Sequence, residues 1–466
     1  MLAIWVCWAV PAQAFCGFFV AGSQAKLTNQ TSQAVVVRQG NRTTLTLSND
    51  YQGPPESFAL VVPVPVVLQK DDVKTLEPSL FDKLDALTAP RLVEYWEEDP
   101  CHPHADDLSL IGGAKGGRSR GADGLGVTVE AQFAVGEYEI VVLGAKDSTG
   151  LETWLVQNGY HIPAGAATAL APYVRDQMKF FVAKVDIKKV HRDEHGTVVL
   201  SPLRFGYPSN DLRLPVRLGL LNAPKGQKQD LVVYLLSPTS RFDVANLTNV
   251  YIPTNLEVSD EVRNRFPAFY GQLFDASVAA VGGKAAVTEY AWSSNACDPC
   301  PTPPLTPTEL LTLGADSGER PPGVSPLPGQ ASGRRWASRE AWVLTRIHVR
   351  YDAKTIGEDL VFKEEEPISG GSETPSSSLT TATPASINNF QGRYIIRHPW
   401  KGNVSCQHPG WGNWGSPPDN GPAIHAAKHV GAAARTPVDL RRVVQTAFAP
   451  LKLLGKKAAT HKQTAP

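Results

Sequence analysis

Apolar runs of about six residues that alternate with polar positions recur along much of the chain, the period of half-buried strands. Residues 33–38 and 43–48 are two such runs, with Gly40-Asn41 between them. They predict a β-hairpin, because the pair supplies the positive φ that a tight primed turn needs. Residues 58–68 are a third extended stretch that contains Pro63 and Pro65. Two prolines spaced by two remove amide donors from one side of a strand, so this stretch is expected at a sheet edge or in a polyproline-like crossing. Residues 92–97 and 180–186 read as strands, and 127–135 with 138–143 as a second hairpin.

From Thr197 the pattern becomes strand after strand, over 198–205, 212–221, 231–236 and 242–251, with turn residues between them. Such spacing belongs to a sandwich or barrel. Further strands are expected at 285–292, 342–351 and 390–399. Helical periodicity is confined to a few segments. Leu80, Leu84 and Leu87 share a face over 77–87, and 151–157 and 166–177 are also helical in pattern. The long segment 260–281 places Val262, Phe266, Phe269, Leu273 and Phe274 on one stripe. Thr306-Pro307-Thr308-Glu309 is a capping box with Pro at the first helical position, and Gly314 ends that helix.

The expected fold class is therefore mainly β with some helices: antiparallel sheets in a sandwich-like arrangement. The expected domains are a signal peptide at 1–14, an N-terminal β-rich domain at 15–190 and a second β-rich domain at 191–363. A linker rich in Ser, Thr, Pro and Glu follows at 364–389, then a returning strand at 390–406 and a Gly/Pro-rich tail at 407–466. The stretches 112–126 and 314–333 read as loops, because their Gly- and Pro-rich composition lacks the apolar surface that would offset ordering entropy.

Composition narrows the function classes. Lys+Arg and Asp+Glu both total 45 in 466 residues, so no net field draws in nucleic acid. Residues 2–10 are apolar and Ala12-Gln13-Ala14 has the small-x-small pattern of a signal-peptidase site, so export with cleavage after Ala14 is expected. No Lys or Arg precedes the apolar run, which places the expected true start upstream. The predicted location is the periplasm, cell surface or exterior. Cleavage removes Cys7 and leaves Cys16, Cys101, Cys297, Cys300 and Cys406 as disulfide candidates. Five thiols permit two bridges and one thiol left over, and the sequence does not choose the pairing.

Candidate chemistry is sparse. Cys297-Asp298-Pro299-Cys300 has the C-x-x-C spacing of a thiol oxidoreductase, but the following helix starts at Pro307, too late to act on either sulfur. A structural disulfide is the simpler reading. Cys101, His102 and His104, joined by Cys297 and Cys300, contain the right atoms for zinc, although the spacing matches no standard zinc module. No cofactor is otherwise expected. Glu94, Glu97, Glu98 and Asp99 are carboxylates of the type glycoside hydrolysis uses in pairs, and a solvated strand end explains them equally. No G-x-S-x-G or H-E-x-x-H motif occurs.

Near the C-terminus, Thr436 and Pro437 begin an amphipathic segment in which Leu440, Val443, Val444, Phe448 and Leu451 share a face. Arg441, Arg442, Phe448 and Lys452 are its candidates for contact with an anionic membrane surface, and docking on the body is the alternative. Tyr394, Trp400, Trp411 and Trp414 cluster among Gly and Pro and suit either sugar stacking or a satellite core.

Several phrases taken in order resemble one family. These are Tyr51-Gln52-Gly53-Pro54-Pro55, Val62-Pro63-Val64-Pro65, Glu94-Tyr95-Trp96 with Asp99-Pro100-Cys101, Cys297-Asp298-Pro299-Cys300, and Phe390-Gln391-Gly392-Arg393-Tyr394. They are similar to the exported bacterial proteins of domain-of-unknown-function family DUF2330, across roughly residues 15–406. The resemblance implies a bacterial envelope origin and transfers no activity. The leading expectation is a non-catalytic binding or scaffolding module for an envelope protein or polysaccharide. The alternatives are a metal protein or enzyme at Cys101/His104 with Cys297/Cys300, and a thiol oxidoreductase at Cys297 and Cys300.

Overall fold

The computed structural model describes residues 18–21, 28–52, 58–101, 129–145, 148–163, 165–192, 198–222, 228–315, 342–370, 376–415, 424–426 and 438–453. The β-rich, mostly antiparallel, sandwich-like architecture expected from the sequence is the one the chain adopts.

An eleven-stranded sheet is the backbone of the molecule. Its central run, in spatial order, is Ala285–Ser293, Val343–Tyr351, Gln229–Ser237, Thr28–Gln39, Arg42–Gln52 and Leu203–Pro208. Neighbours in this run are antiparallel except Gln229–Ser237 and Thr28–Gln39, which run parallel. Strands from both sides of residue 190 thus share one sheet. The hairpin turn falls at Gly40, whose φ of 54° fills the position that only a flexible residue takes without strain. Ala34-Val35-Val36-Val37 is apolar without a break because both faces of this sheet are covered.

A five-stranded antiparallel sheet packs on one face, in the order Phe18–Ala21, Phe58–Val64, Lys179–Val185, Tyr138–Gly144, Val129–Val135. Ala34, Val36 and Leu45 from the large sheet meet Leu60, Val62, Ile140 and Phe181 from the small one, which makes the sandwich core. Helices Ser148–Gln157 and Ala166–Arg175 cover the other face of the small sheet. Helices Ser79–Thr88 and Phe266–Ala280 cover the other face of the large sheet. A third sheet, including Arg91–Glu97 and Arg393–His398, lies beside the latter helix.

Four local expectations change. Residues 58–64 lie one strand in from the edge, yet pairing with Phe18–Ala21 stops at Val61, before Pro63. Segment 212–221 forms the short strand Arg213–Leu214 and then a 3-10 helix, Arg217–Asn222. Segment 260–281 starts as a 3-10 helix and becomes α-helical only at Phe266, with Pro267 in its first turn. Within 364–389, short strands Ile368–Gly370 and Thr383–Pro384 pair with the large sheet's edge, so part of the low-complexity stretch is ordered backbone.

Candidate ligand cleft

At one end of the sandwich the chain leaves a cleft of about 490 Å³. Its buried wall comes from four places: Pro63 on the strand Phe58–Val64, Tyr173 on the helix Ala166–Arg175, Tyr207 at the end of Leu203–Pro208, and Pro215 before the 3-10 turn. The rim is exposed and polar, and includes Asn41 of the hairpin turn, Asp176, Asn210 and Arg213.

Asp359 organises the floor. Its Oδ1 accepts from the Tyr173 hydroxyl at 2.6 Å, from the amides of Val216 and Arg217 at 3.1 and 3.3 Å, and from Arg217 Nε at 3.2 Å. Arg217 Nη2 reaches Oδ2 at 3.1 Å, and the guanidinium lies 4.9 Å from the Tyr173 ring centroid. Burial works against the Arg217 cation, but hydrogen bonds and charge from Asp359 outweigh it and raise its pKa. Burial, reinforced by Asp359, raises the Tyr173 hydroxyl far above the usual range. Four of these five contacts crowd Oδ1 and one, from Arg217, reaches Oδ2, so the Asp359 carboxylate ties the helix, the 3-10 turn and the cleft floor together.

Tyr207 differs. Its side chain is 6% exposed, it lines the cleft, and its hydroxyl has no hydrogen-bond partner among the described residues. Burial raises its pKa, so it enters as a neutral donor and acceptor. Arg38 holds the adjoining rim, donating to the carbonyls of Ser209 at 2.9 Å and Asn210 at 3.2 Å. The Ser209 amide in turn donates to the Asn41 carbonyl at 2.8 Å. The cleft is a concavity with proline faces, a phenol that no described residue bonds, and rim amides and carboxylates.

The model of a bacterial family described as an uncharacterized protein conserved in bacteria (DUF2330) matches residues 10–363. The chain belongs to the DUF2330 family. A comparison with curated proteins finds no match. The crystal structure of baculovirus P35 is similar over 47% of this chain and 67% of its own, at 12% identity and a TM-score of 0.24.

The cysteines, histidines, carboxylates and aromatics weighed as site candidates in the sequence of this DUF2330 protein are not among the residues that line the cleft. Cys101 is bonded to Cys406 across a separation of 305 residues, and Cys297 to Cys300. The sulfurs grouped above as zinc ligands are therefore used in two separate bridges. His102, His104 and Cys16 lie outside the described residues. Among the described residues, no group of three or more His, Cys, Asp and Glu side chains is placed to hold a metal ion.

Glu94 is buried and takes a two-pronged contact from Arg263 at 2.7 and 2.6 Å and one from His398 at 2.7 Å. Glu97 accepts from the amides of Trp400 at 3.1 Å and Gly412 at 3.0 Å, so it fixes the loop that carries the late tryptophans. Tyr394 is core, fully buried among Phe266, Phe269 and Tyr270. The amphipathic C-terminal helix is reduced to Leu440–Val443, and Phe448, 2% exposed, packs into the core cluster with Val443 and Val444. Arg442 pairs with Glu261 at 2.5 Å, while Arg441 and Lys452 are exposed. The helix ends where Val444 turns extended and forms a β-bridge with Val258 on the body. The sequence carried no signal for the cleft beyond the two prolines, because its residues are ordinary types contributed by distant segments.

Proposed function

We propose that this protein is an exported, non-catalytic binding module whose cleft takes a segment of envelope polysaccharide. The observation that carries the reading is the Tyr207 hydroxyl, which opens into the cleft beside proline faces without a hydrogen-bond partner among the described residues. That hydroxyl faces the cleft and not the packed interior, so a ligand hydroxyl can take the place of solvent on it at little cost to the fold. Pro63 and Pro215 offer flat apolar surface to the C–H face of a sugar ring. Asn41, Asn210 and Asp176 on the rim offer the amides and carboxylate that recognise neighbouring hydroxyls. Export is supported by the apolar N-terminal run and by the two disulfides.

The test is calorimetry and thermal shift of the full chain against defined envelope glycans, neutral and acidic, with a panel of short peptides alongside. Saturating glycan should raise stability by about 2.7 kcal/mol at a hundredfold excess over Kd. Tyr207→Phe should weaken that binding about tenfold without lowering the ligand-free melting temperature. Binding of peptides alone would replace the polysaccharide reading with a protein partner. Glycan binding unaffected by Tyr207→Phe would move the site out of the cleft.

A further inference from the structure

The two disulfides sit in different surroundings. In Cys101–Cys406 both residues are half-buried, whereas Cys300 is exposed and its partner Cys297 is half-buried against the cluster of Leu305, Leu310 and Trp342. One sulfur of the Cys297–Cys300 pair is thus open to attack from solvent and the other is backed by the core.

The loop between them is held from below. Tyr290 donates its hydroxyl to the carbonyl of Ala296 at 2.9 Å, Gln391 donates its amide to the carbonyl of Asp298, and Arg91 Nη1 donates to the carbonyl of Pro299 at 2.7 Å. Opening the S–S bond would leave these backbone anchors in place.

Arg91 is the unusual member. It is 0% exposed, its other contact is the carbonyl of Leu87, and its Nε has no partner among the described residues. Among the described residues, none of its hydrogen bonds goes to a carboxylate. A buried guanidinium hydrogen-bonded only to carbonyls is an incompletely compensated charge. Burial lowers its pKa to about 10, still cationic at neutral pH. The Asp298 carboxylate of the same loop acts on this cation without touching it and is opposed by Arg346 and Arg393, and a thiolate formed in the loop would add a second negative charge.

We propose that Cys297–Cys300 is a thiol–disulfide exchange site that accepts two electrons from a dithiol, with Arg91 as a positioning residue that favours the thiolate state. The incoming thiolate attacks Sγ of Cys300, forming a mixed disulfide and releasing the Cys297 thiolate. The second thiol of the donor, as its thiolate, attacks the donor sulfur of that mixed disulfide and releases Cys300. The donor ends as a disulfide and this chain as a dithiol, with the donor's two protons passing to the released thiolates or to solvent. The site is independent of the cleft.

The test uses the full oxidised chain, equilibrated in graded mixtures of reduced and oxidised dithiothreitol, quenched by alkylation and read bridge by bridge by peptide mass spectrometry. Cys297–Cys300 should open at a dithiol excess at least about tenfold lower than Cys101–Cys406 requires. Arg91→Met should shift the Cys297–Cys300 equilibrium toward the disulfide by about tenfold, and Arg91→Lys should restore most of it. Co-reduction of the two bridges would overturn the proposal, as would an unchanged equilibrium in folded Arg91→Met. Should that variant not fold, glutathione trapping on the wild-type chain decides: the mixed disulfide should map to Cys300, and its appearance on Cys297, or on neither, overturns the assignment.

Discussion

His348 and Glu289 stand 2.9 Å apart, Nδ1 to Oε1, in the interior beneath the helices that cover the large sheet. The other ring nitrogen of His348 is 2.9 Å from Asp230, and Glu289 also receives Arg346 Nε at 2.6 Å and the Tyr270 hydroxyl. Arg346 continues to Asp85 at 2.7 Å, and Arg350 joins Asp230 at 2.7 Å to Asp275 at 2.6 Å. The chain of charges is nearly complete, so deleting one member leaves others stranded. Glu289→Gln should destabilise the protein by about 3–5 kcal/mol in urea unfolding, because Arg346 and His348 lose their shared counter-ion. A loss under about 1 kcal/mol would mean that Asp85 and Asp230 neutralise the two cations without it.

The same network predicts a stability maximum. For His348, burial opposes the cation but Glu289 and Asp230 outweigh it, so its pKa is raised above 6.5. Its contribution is complete below the unfolded value of 6.5 and fades as pH rises through the folded one. Glu289 behaves oppositely: burial is outweighed by Arg346 and His348, and its pKa falls from 4.5 to about 2. Its contribution is complete above 4.5 and fades as pH falls toward 2. Asp230 is lowered too, with Arg350 and His348 overcoming its burial. Urea midpoints taken across the pH range should therefore peak between about 4.5 and 6.5. In His348→Gln the decline on the alkaline side should flatten, and an unchanged slope would remove His348 as its source.

Two tyrosines of the cleft should separate stability from binding. Tyr173 is fully buried and donates a hydrogen bond to a carboxylate, so Tyr173→Phe should cost about 1.5–3 kcal/mol of unfolding free energy. Tyr207→Phe removes a hydroxyl that no described residue uses and should change stability by less than about 0.5 kcal/mol. Equal losses in the two variants would show that Tyr207 is engaged by the protein itself.

How much of this could be read from the chain depends on the range of each interaction. The Gly40 turn and the Thr306–Glu309 capping box are local, and both form where the residues place them. The buried network was hidden for a physical reason. Arg346, His348 and Arg350 alternate with apolar residues while Asp230 and Tyr234 interrupt an otherwise apolar strand, and neither pattern says which face of a strand meets water. Only the helices laid over that face turn a polar stripe into an interior one. Residues 212–221 have a strand's composition, yet Asp359, far along the chain, accepts from the amides of Val216 and Arg217 and holds a turn there. The cleft is opaque for the same reason, since nothing local connects Tyr207 with Tyr173 or Asp359.

The Cys101–Cys406 bridge ties the end of the strand Arg91–Glu97 to the loop that carries Trp400, Trp411 and Trp414. That loop is otherwise secured by a few bonds: the Trp400 and Gly412 amides on Glu97, the Glu98 amide on the Asn413 carbonyl, and the Gly410 amide on the Pro100 carbonyl. Its strand segment, Trp414–Gly415, is only two residues long. Without the covalent tie, so short a ladder should open far more often than the sheet core. The double variant Cys101→Ser with Cys406→Ser should therefore lose about 2–5 kcal/mol overall. Its amides over 399–415 should exchange at nearly open-loop rates, while those of Gln229–Ser237 keep protection tracking the global stability. The comparison separates local from general effects. Uniform acceleration across both segments would mean that the bridge stabilises the whole fold, and no acceleration in 399–415 would mean that the Glu97 contacts hold the loop without it.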